Sequence, residues 1–443
     1  MTPRDNERLT RVTGDAPMAR LLRENYWLPF ARSEALKTGE APMRVKLLGH
    51  DLVAFRGEDG SVGIMDEYCP HRRASMALAR VEGCKLRCIY HGWQMDGTGR
   101  VVEVPSEGER SDLFASRVKV DRRVAREGGG MVWAWLGQDE PPALPPLPFM
   151  DVPEEGRWVA RATVKCNWLQ NLEGTQDSVH LNWLHKGFHQ AAAQTLTEAP
   201  KYEIQETAYG LRTAAIRGAG DPEKVHFRVG EYVAPFYGFS ASRQPIVPTD
   251  NACFITVPID DETHLMFFVI WDEAGPVADL TPIFFPGLDP DDLLKGDFTR
   301  ENNWGQDRDA MAGGHFSGYT VSLLHEDLGV QMSMGPIVDR TQEVLCSTDL
   351  AVVRMRDVLL DLLAREEAGE AIDGGLEGYR ADGHLPFSYV AAKGADWREG
   401  GKRKVRELVM AGADEGYAPA NAVRETASSR LPTPAERAIP LGD

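Results

Sequence analysis

The chain has 443 residues, 42% hydrophobic and 26% charged, the composition of an ordinary soluble globular protein with length enough for two domains. Its formal net charge of -18 argues against a nucleic-acid partner, because a polyanion needs a basic footprint, while leaving room for a local basic pocket that takes a carboxylate. No run of about 20 apolar residues is present, so no membrane span is expected. The polar start, Met1 to Arg8, lacks the apolar core of a signal peptide. Six scattered cysteines (Cys69, Cys84, Cys88, Cys166, Cys253, Cys346) are too sparse for a disulfide scaffold and fit reduced thiols in a cytoplasm.

Residues 1–25 precede the first strand-like pattern and are expected to form an N-terminal arm. From Tyr26 to about Pro142 the sequence reads as short strands punctuated by glycine. Leu47 to Phe55 predicts a strand, Gly57-Glu58-Asp59-Gly60 a tight turn, and Val62 to Met65 the return strand. Met131 to Leu136 follows Gly128-Gly129-Gly130 and predicts another strand. The run Glu140 to Pro148 is proline-rich and predicts an extended connector. Beyond it the pattern is mixed: a helix over 166–186, several strands over 201–272, and a strand followed by a helix over 319–364. Asp349 to Glu367 carries apolar residues at helical spacing. Residues 413–443, rich in Ala, Pro, Arg and Glu, are expected to be a tail with little core. No internal repeat is evident.

Two constellations carry chemistry. In the first, Cys69-Pro70-His71 is followed 16 residues later by Cys88-Ile89-Tyr90-His91-Gly92-Trp93. Each loop offers one thiolate and one imidazole. A structural zinc also takes two Cys and two His, but zinc fingers usually segregate the cysteines from the histidines. A [2Fe–2S] cluster with two Cys on one iron and two His on the other requires the mixed arrangement, which also raises its potential. The segment resembles a Rieske domain. That resemblance implies Cys69, His71, Cys88 and His91 as cluster ligands, and Tyr90 as a hydroxyl tuning a ligating sulfur. Cys84, close by, reads as a small buried or half-buried thiol.

In the second, Asp177, His180 and His185 lie in a predicted helix. Asp177 and His180, three apart, would share a face. His180 and His185, five apart, fall about 140° from each other on an ideal helix, so both reach one metal only if the helix is distorted or ends between them. Zinc proteases instead carry His residues four apart with a Glu after the first. Two His and a carboxylate with open positions suit O₂-activating non-haem Fe(II). The segment resembles the D-x-x-H-x-x-x-x-H motif of Rieske oxygenase α subunits, with His189 a weaker rival ligand. The resemblance implies His180 and His185 as iron ligands and Asp177 as the acid joining this site to a neighbouring subunit's cluster. A late stretch, Leu324 to Glu343, resembles the phthalate-dioxygenase-like branch and implies Asp327 as third ligand, with Glu326 and His325 as alternatives. Asp339 and Arg340 read as a structural ion pair or cap.

The resemblance spans nearly the whole chain and is weakest after Gly369. It implies an α+β chain: an N-terminal all-β Rieske domain over 26–145, then a catalytic domain over 146–412 with a helix-flanked antiparallel β-sheet. Homotrimers or stacked trimers follow, with one subunit's cluster beside its neighbour's iron. No G-x-G-x-x-G fingerprint is present, so NADH electrons would arrive through a separate reductase, which the resemblance implies is an iron–sulfur flavoprotein. The implied reaction is O₂-dependent dihydroxylation of a small aromatic carboxylate such as a phthalate, with monooxygenation or O-demethylation of an aryl ether as the alternative. Arg212, Arg217 and Arg243 are candidate carboxylate partners through bidentate hydrogen bonds, and Ser178 is a candidate donor to a substrate oxygen.

Overall fold

The computed structural model describes residues 1–187, 199–241, 251–273, 275–294, 296–372, 374, 376, 379 and 386–399. Arg243, His189 and the tail expected over 413–443 lie outside the described residues.

The N-terminal β region is built from three small antiparallel sheets. Met43–Leu47, His50–Arg56 and Val62–Asp66 form one meander. The strand predicted from Leu47 is therefore two, because Leu48 and Gly49 both take positive φ and turn the chain. Four short strands between Arg80 and Glu103 form the second sheet, and Leu28–Arg32 pairs with Met131–Trp135 in the third. The proline-rich connector carries no regular element, as its missing N–H donors dictate.

The larger region is an eight-stranded antiparallel sheet in the order Arg157–Val164, Thr263–Trp271, Asn251–Asp260, Tyr237–Ala241, Lys224–Val233, Gly210–Gly218, Lys201–Thr207, with Phe387–Ala392 also paired to Lys224–Val233. Strand alternation splits the first of these cleanly. Trp158, Ala160, Ala162 and Val164 face a core that includes Leu324, Leu328 and Met332 of the helix Leu323–Ser333. Val159, Phe267, Val269 and Ile255 face the main core, which holds Trp168, Leu169 and Leu172 of the helix Trp168–Gln176. The sheet is thus covered on both faces.

Three expectations need correction. The N-terminal arm is two helices, Pro3–Thr10 and Pro17–Asn25, each with proline in its first turn. Their Leu9, Met18, Leu21 and Leu22 are fully buried in the main core together with Met355 and Leu359 of the long helix Leu350–Glu367. No strand forms near residue 319; that segment leads into the helix Leu323–Ser333, started by the Ser322 cap, whose hydroxyl accepts from His325 N. The helix expected over 166–186 is two separate helices with a break at Asp177.

Arg340 and Asp339 have the roles read from sequence. Asp339 caps the turn at Thr341 N, while Arg340, fully buried, grips Glu173 of Trp168–Gln176 through Nε at 2.7 Å and a second nitrogen at 2.9 Å. Arg356 joins them, bonding Glu173 at 2.7 Å and Glu343 at 2.8 and 2.9 Å. Arg340→Ala leaves Glu173 paired with Arg356 but removes two charge-assisted hydrogen bonds, and is therefore expected to cost about 2 kcal/mol, read as a lower urea midpoint.

Candidate functional site: two metal-ligand constellations

The two loops of the first constellation are folded alike. Cys69 N donates to Ala74 O and Arg73 N returns to Cys69 O, both at 2.9 Å; Cys88 N donates to Trp93 O at 2.9 Å and Gly92 N to Cys88 O at 3.0 Å. Each turn closes on a residue with positive φ, Arg73 at 60° and Gly92 at 77°. Both cysteines are buried in the small core formed with Leu86, Trp93 and Met95. Burial pushes the Cys69 thiol up to about 11, with Cys88 nearby adding to it, so a strong cation is needed to hold it as a thiolate. The imidazoles come to the surface: the His71 and His91 rings lie 4.4 Å apart, and His71 stacks on Trp93. Among the described residues, the set of three or more such donors drawn within 4.8 Å of one another is His180, His185 and Asp327, not these four. A single tetrahedral zinc would gather all four within about 4 Å. Thiolates inside and imidazoles outside fit a cluster with two irons.

Tyr90 departs from expectation. Its half-exposed ring lies against His91 at 3.8 Å, with the Arg72 guanidinium 5.5 Å from the ring centre, rather than presenting a hydroxyl to a ligating sulfur. Cys84 is partly buried, as read.

The second constellation rests on a local competition for backbone donors. The helix Trp168–Gln176 begins at Asn167, whose side chain accepts from Leu169 N, and ends at Asp177, which is extended (φ -86°, ψ 130°). The Asp177 carboxylate accepts from Val179 N at 2.6 Å and His180 N at 3.2 Å, an Asx turn that satisfies donors a continuing helix would have used. A new helix, His180–Trp183, then tightens into a 3₁₀ turn over Leu184–Gly187. That change of pitch removes the angular mismatch, and the His180 and His185 rings sit 5.1 Å apart. Asp177 still meets His180, Oδ2 to Nδ1 at 3.2 Å, but through the turn and not along a helix face.

Leu323–Ser333 brings the third donor. Asp327 Oδ1 lies 3.5 Å from His180 Nε2 and 3.2 Å from His185 Nε2. The helix approaches closely because Gly174 faces it; a Cβ there would fall 2.8 Å from Gln331 Nε2. Burial works to raise the Asp327 pKa, but the facing His185 and His180 outweigh it and hold the carboxyl below the usual range. Burial likewise opposes charge on His185, yet Asp327 and Glu326 carry its pKa up to about 10. Two carboxylates that favour positive charge at His185 against the cost of burial would favour a divalent cation at the same place. Two imidazoles and one carboxylate fit Fe(II) with positions left open. Of the two alternatives to Asp327, His325 turns away to Ser322 Oγ at 2.8 Å. Glu326 lies behind His185, Oε2 to Nδ1 at 2.6 Å.

Ser178, next to Asp177, opens a third feature. Arg217 donates to Ser178 O at 3.0 Å and to its Oγ at 3.4 Å, while Arg228 reaches Ser178 Oγ at 3.3 Å and Ser240 Oγ at 2.6 Å. Arg217 pairs across the ladder with His226, and Ala215 with Arg228, so the two arginines share a face. Arg212, five residues from Arg217, points to the opposite face; it contacts Gln205 and lies over the Trp397 ring at 5.5 Å. Burial and the like charge of Arg217 push Arg228 down to about 10, which leaves it protonated at neutral pH. Neither Arg217 nor Arg228 forms an ion pair with a carboxylate among the described residues. Arg228 escaped the sequence reading because nothing marks it among other strand arginines; its place two residues from the partner of Arg217 emerges only with strand register.

A β domain with paired Cys/His loops, joined to a sheet that carries a two-His-one-carboxylate site, defines an oxygenase of the Rieske non-haem iron class. Residues 26–120 match the family model for the Rieske [2Fe-2S] domain, and residues 134–419 match that for the LigXa C-terminal domain like family. The chain is 37% identical to the phthalate 4,5-dioxygenase oxygenase subunit of Pseudomonas putida, over 90% of this chain and 94% of that one. It is 34% identical to the 3-chlorobenzoate-3,4-dioxygenase oxygenase subunit of Comamonas testosteroni (92% and 99%). It is 30% identical to the 5,5'-dehydrodivanillate O-demethylase oxygenase subunit of a Sphingobium species (84% and 82%). Among solved structures, a carbazole-bound oxygenase in the ferredoxin complex of carbazole 1,9a-dioxygenase superposes with a TM-score of 0.54 at 20% identity, covering 84% of this chain and 97% of that one. The chain belongs to the Rieske non-haem iron aromatic ring-hydroxylating oxygenases, as an oxygenase α subunit of the phthalate 4,5-dioxygenase-like branch. Its cofactors are those of the family: a Rieske [2Fe–2S] cluster and mononuclear iron, with O₂ as co-substrate and electrons from a separate reductase. Among the described residues no helix is long and apolar enough to cross a membrane.

Proposed function

We propose that this chain is the oxygenase component of a system that dihydroxylates a small aromatic carboxylate, with a phthalate as the type substrate. The observation that carries this reading is the pair of buried or half-buried cations, Arg217 and Arg228, meeting at Ser178, one residue from Asp177. Two guanidinium groups held together repel each other, with the Asp177 carboxylate acting on both only from beyond ion-pair contact, and a bound carboxylate relieves that cost through charge-assisted bidentate bonds. The resemblance to phthalate and chlorobenzoate dioxygenase subunits supports the same substrate class.

In this reading Cys69, His71, Cys88 and His91 hold the cluster within a domain spanning 26–145. His180, His185 and Asp327 hold Fe(II) in a catalytic domain spanning 146–412. The iron and cluster supply O₂ activation by electron transfer when bound. The residues around them set geometry: Arg217, Arg228 and Ser178 orient the carboxylate so that the ring lies at the open side of the iron site, and Asp177 holds His180 by Nδ1. Head-to-tail trimers bring one subunit's cluster to its neighbour's iron. Exposed Ile89, Tyr90, Leu113 and Phe114 beside the cluster loops, and exposed Trp183 and Phe316 beside the iron site, support this as the two halves of a heterologous contact. Electrons come from NADH by way of a flavin and iron–sulfur reductase, in a cytoplasmic setting.

Single turnover of the reduced protein under labelled O₂, with a panel of aryl carboxylates and aryl ethers, tests the reading. A diol carrying both labelled atoms is expected from a carboxylate. Conversion of the ethers alone, with loss of a methyl group, would replace it with O-demethylation.

A further inference from the structure

The two histidines of the iron site are each backed by a carboxylate, and the two carboxylates differ in kind. His180 Nδ1 meets Asp177, which is partly exposed and also caps backbone donors at Val179 and His180. His185 Nδ1 meets Glu326, which has no exposed surface at all. The second oxygen of Glu326 accepts from Ser317 Oγ, itself buried, so both carboxylate oxygens are bonded and the side chain has one orientation. No lysine or arginine lies within ion-pair distance of Glu326 among the described residues; its charge partner there is His185. A buried carboxylate whose one charge partner is a histidine is costly, and fold stability alone does not explain keeping one here.

Resting on the assignment of His185 as an iron ligand, we infer that Glu326 is the positioning carboxylate of that ligand. It accepts the Nδ1 proton, which fixes the tautomer with the Nε2 lone pair turned toward Asp327, and its negative charge makes Nε2 the stronger donor. The helix Leu323–Ser333 thereby supplies both a metal-facing carboxylate, Asp327, and the one behind it, Glu326, from adjacent residues about 100° apart. The charges then balance in the buried part of the site. Asp327 and Glu326 offset the two charges of a divalent ion, while the charge of Asp177 is met by His180 and by the field of Arg217 and Arg228.

The test uses the full chain with its cluster in place and the mononuclear site stripped by a mild chelator, with Co(II) as the probe. Glu326→Gln keeps the shape but loses the charge. It is expected to weaken Co(II) binding about 10- to 100-fold and to shift the cobalt d–d bands, with the EPR signal of the reduced cluster unchanged. Ser317→Ala, which frees Glu326 to rotate, should move affinity in the same direction by a smaller factor. His185→Ala is the control for the underlying assignment. Loss of Co(II) binding in His185→Ala together with wild-type affinity and spectrum in Glu326→Gln overturns the role of Glu326. Unchanged binding in His185→Ala overturns the iron-site assignment and the inference with it.

Discussion

Asp177→Ala is expected to retain the cluster at the wild-type level and to keep every iron ligand while turnover falls about 100-fold. The expectation follows from where Asp177 sits. Burial acts to raise its pKa, but the bond and charge of His180, with the backbone donors of Val179 and His180, hold it below the usual carboxylate range. It is therefore an anion at neutral pH, bound to a proposed iron ligand on one side and partly exposed on the other. Its loss removes an oriented, charged link between the site and whatever docks over it, without deleting a metal ligand. Asp177→Asn separates the two roles of the side chain. The amide oxygen can still accept from Val179 N and keep the turn, so a low rate with the turn intact would point to the charge itself. The readouts are metal content, cluster EPR, and the rate at which the reduced cluster is reoxidised under O₂ with substrate bound. Wild-type turnover in the alanine variant would remove Asp177 from the account.

The second large effect belongs to the arginine pair. Arg217→Ala and Arg228→Ala are each expected to raise KM for an aryl carboxylate by about 10- to 150-fold, the loss of a hydrogen bond to a charged group worth about 1.5–3 kcal/mol. For a neutral analogue such as the aryl amide the same variants should change KM little, because the interaction removed is one between charges. Arg212→Ala provides the comparison. It lies on the other face of the sheet over Trp397, and KM for both compounds should stay at the wild-type value. Equal losses for carboxylate and amide would assign Arg217 and Arg228 to holding the Ser178 turn in place, not to substrate.

Much of the site was legible because it is written in short spacings. Cys69 with His71, and Cys88 with His91, announce paired loops before any fold is known, and the five-residue gap between His180 and His185 announces a broken helix. The break itself could be required but not located: its cause is the Asp177 side chain competing for backbone donors, and Asp at that position reads from sequence as one more helix-face residue. Contacts made across the fold were less legible. The approach to the helix Leu323–Ser333 reads as strand, since its cap, Ser322, has no Glu three residues on and its apolar residues show no single stripe. Arg212 and Arg217 look equivalent until their odd separation places them on opposite faces. The N-terminal helices read as an arm because each is short and polar outside its buried stripe. Their stability comes from packing on the distant helix Leu350–Glu367, not from their own propensity.

The central claim is that one chain carries a Rieske cluster and a separate iron held by His180, His185 and Asp327. Metal analysis of the purified protein, paired with Asp327→Ala, tests it most directly. The account predicts about three iron atoms per chain and no stoichiometric zinc, falling to about two in the variant. A zinc-bearing, iron-free protein, or an iron content that Asp327→Ala leaves unchanged, would contradict it.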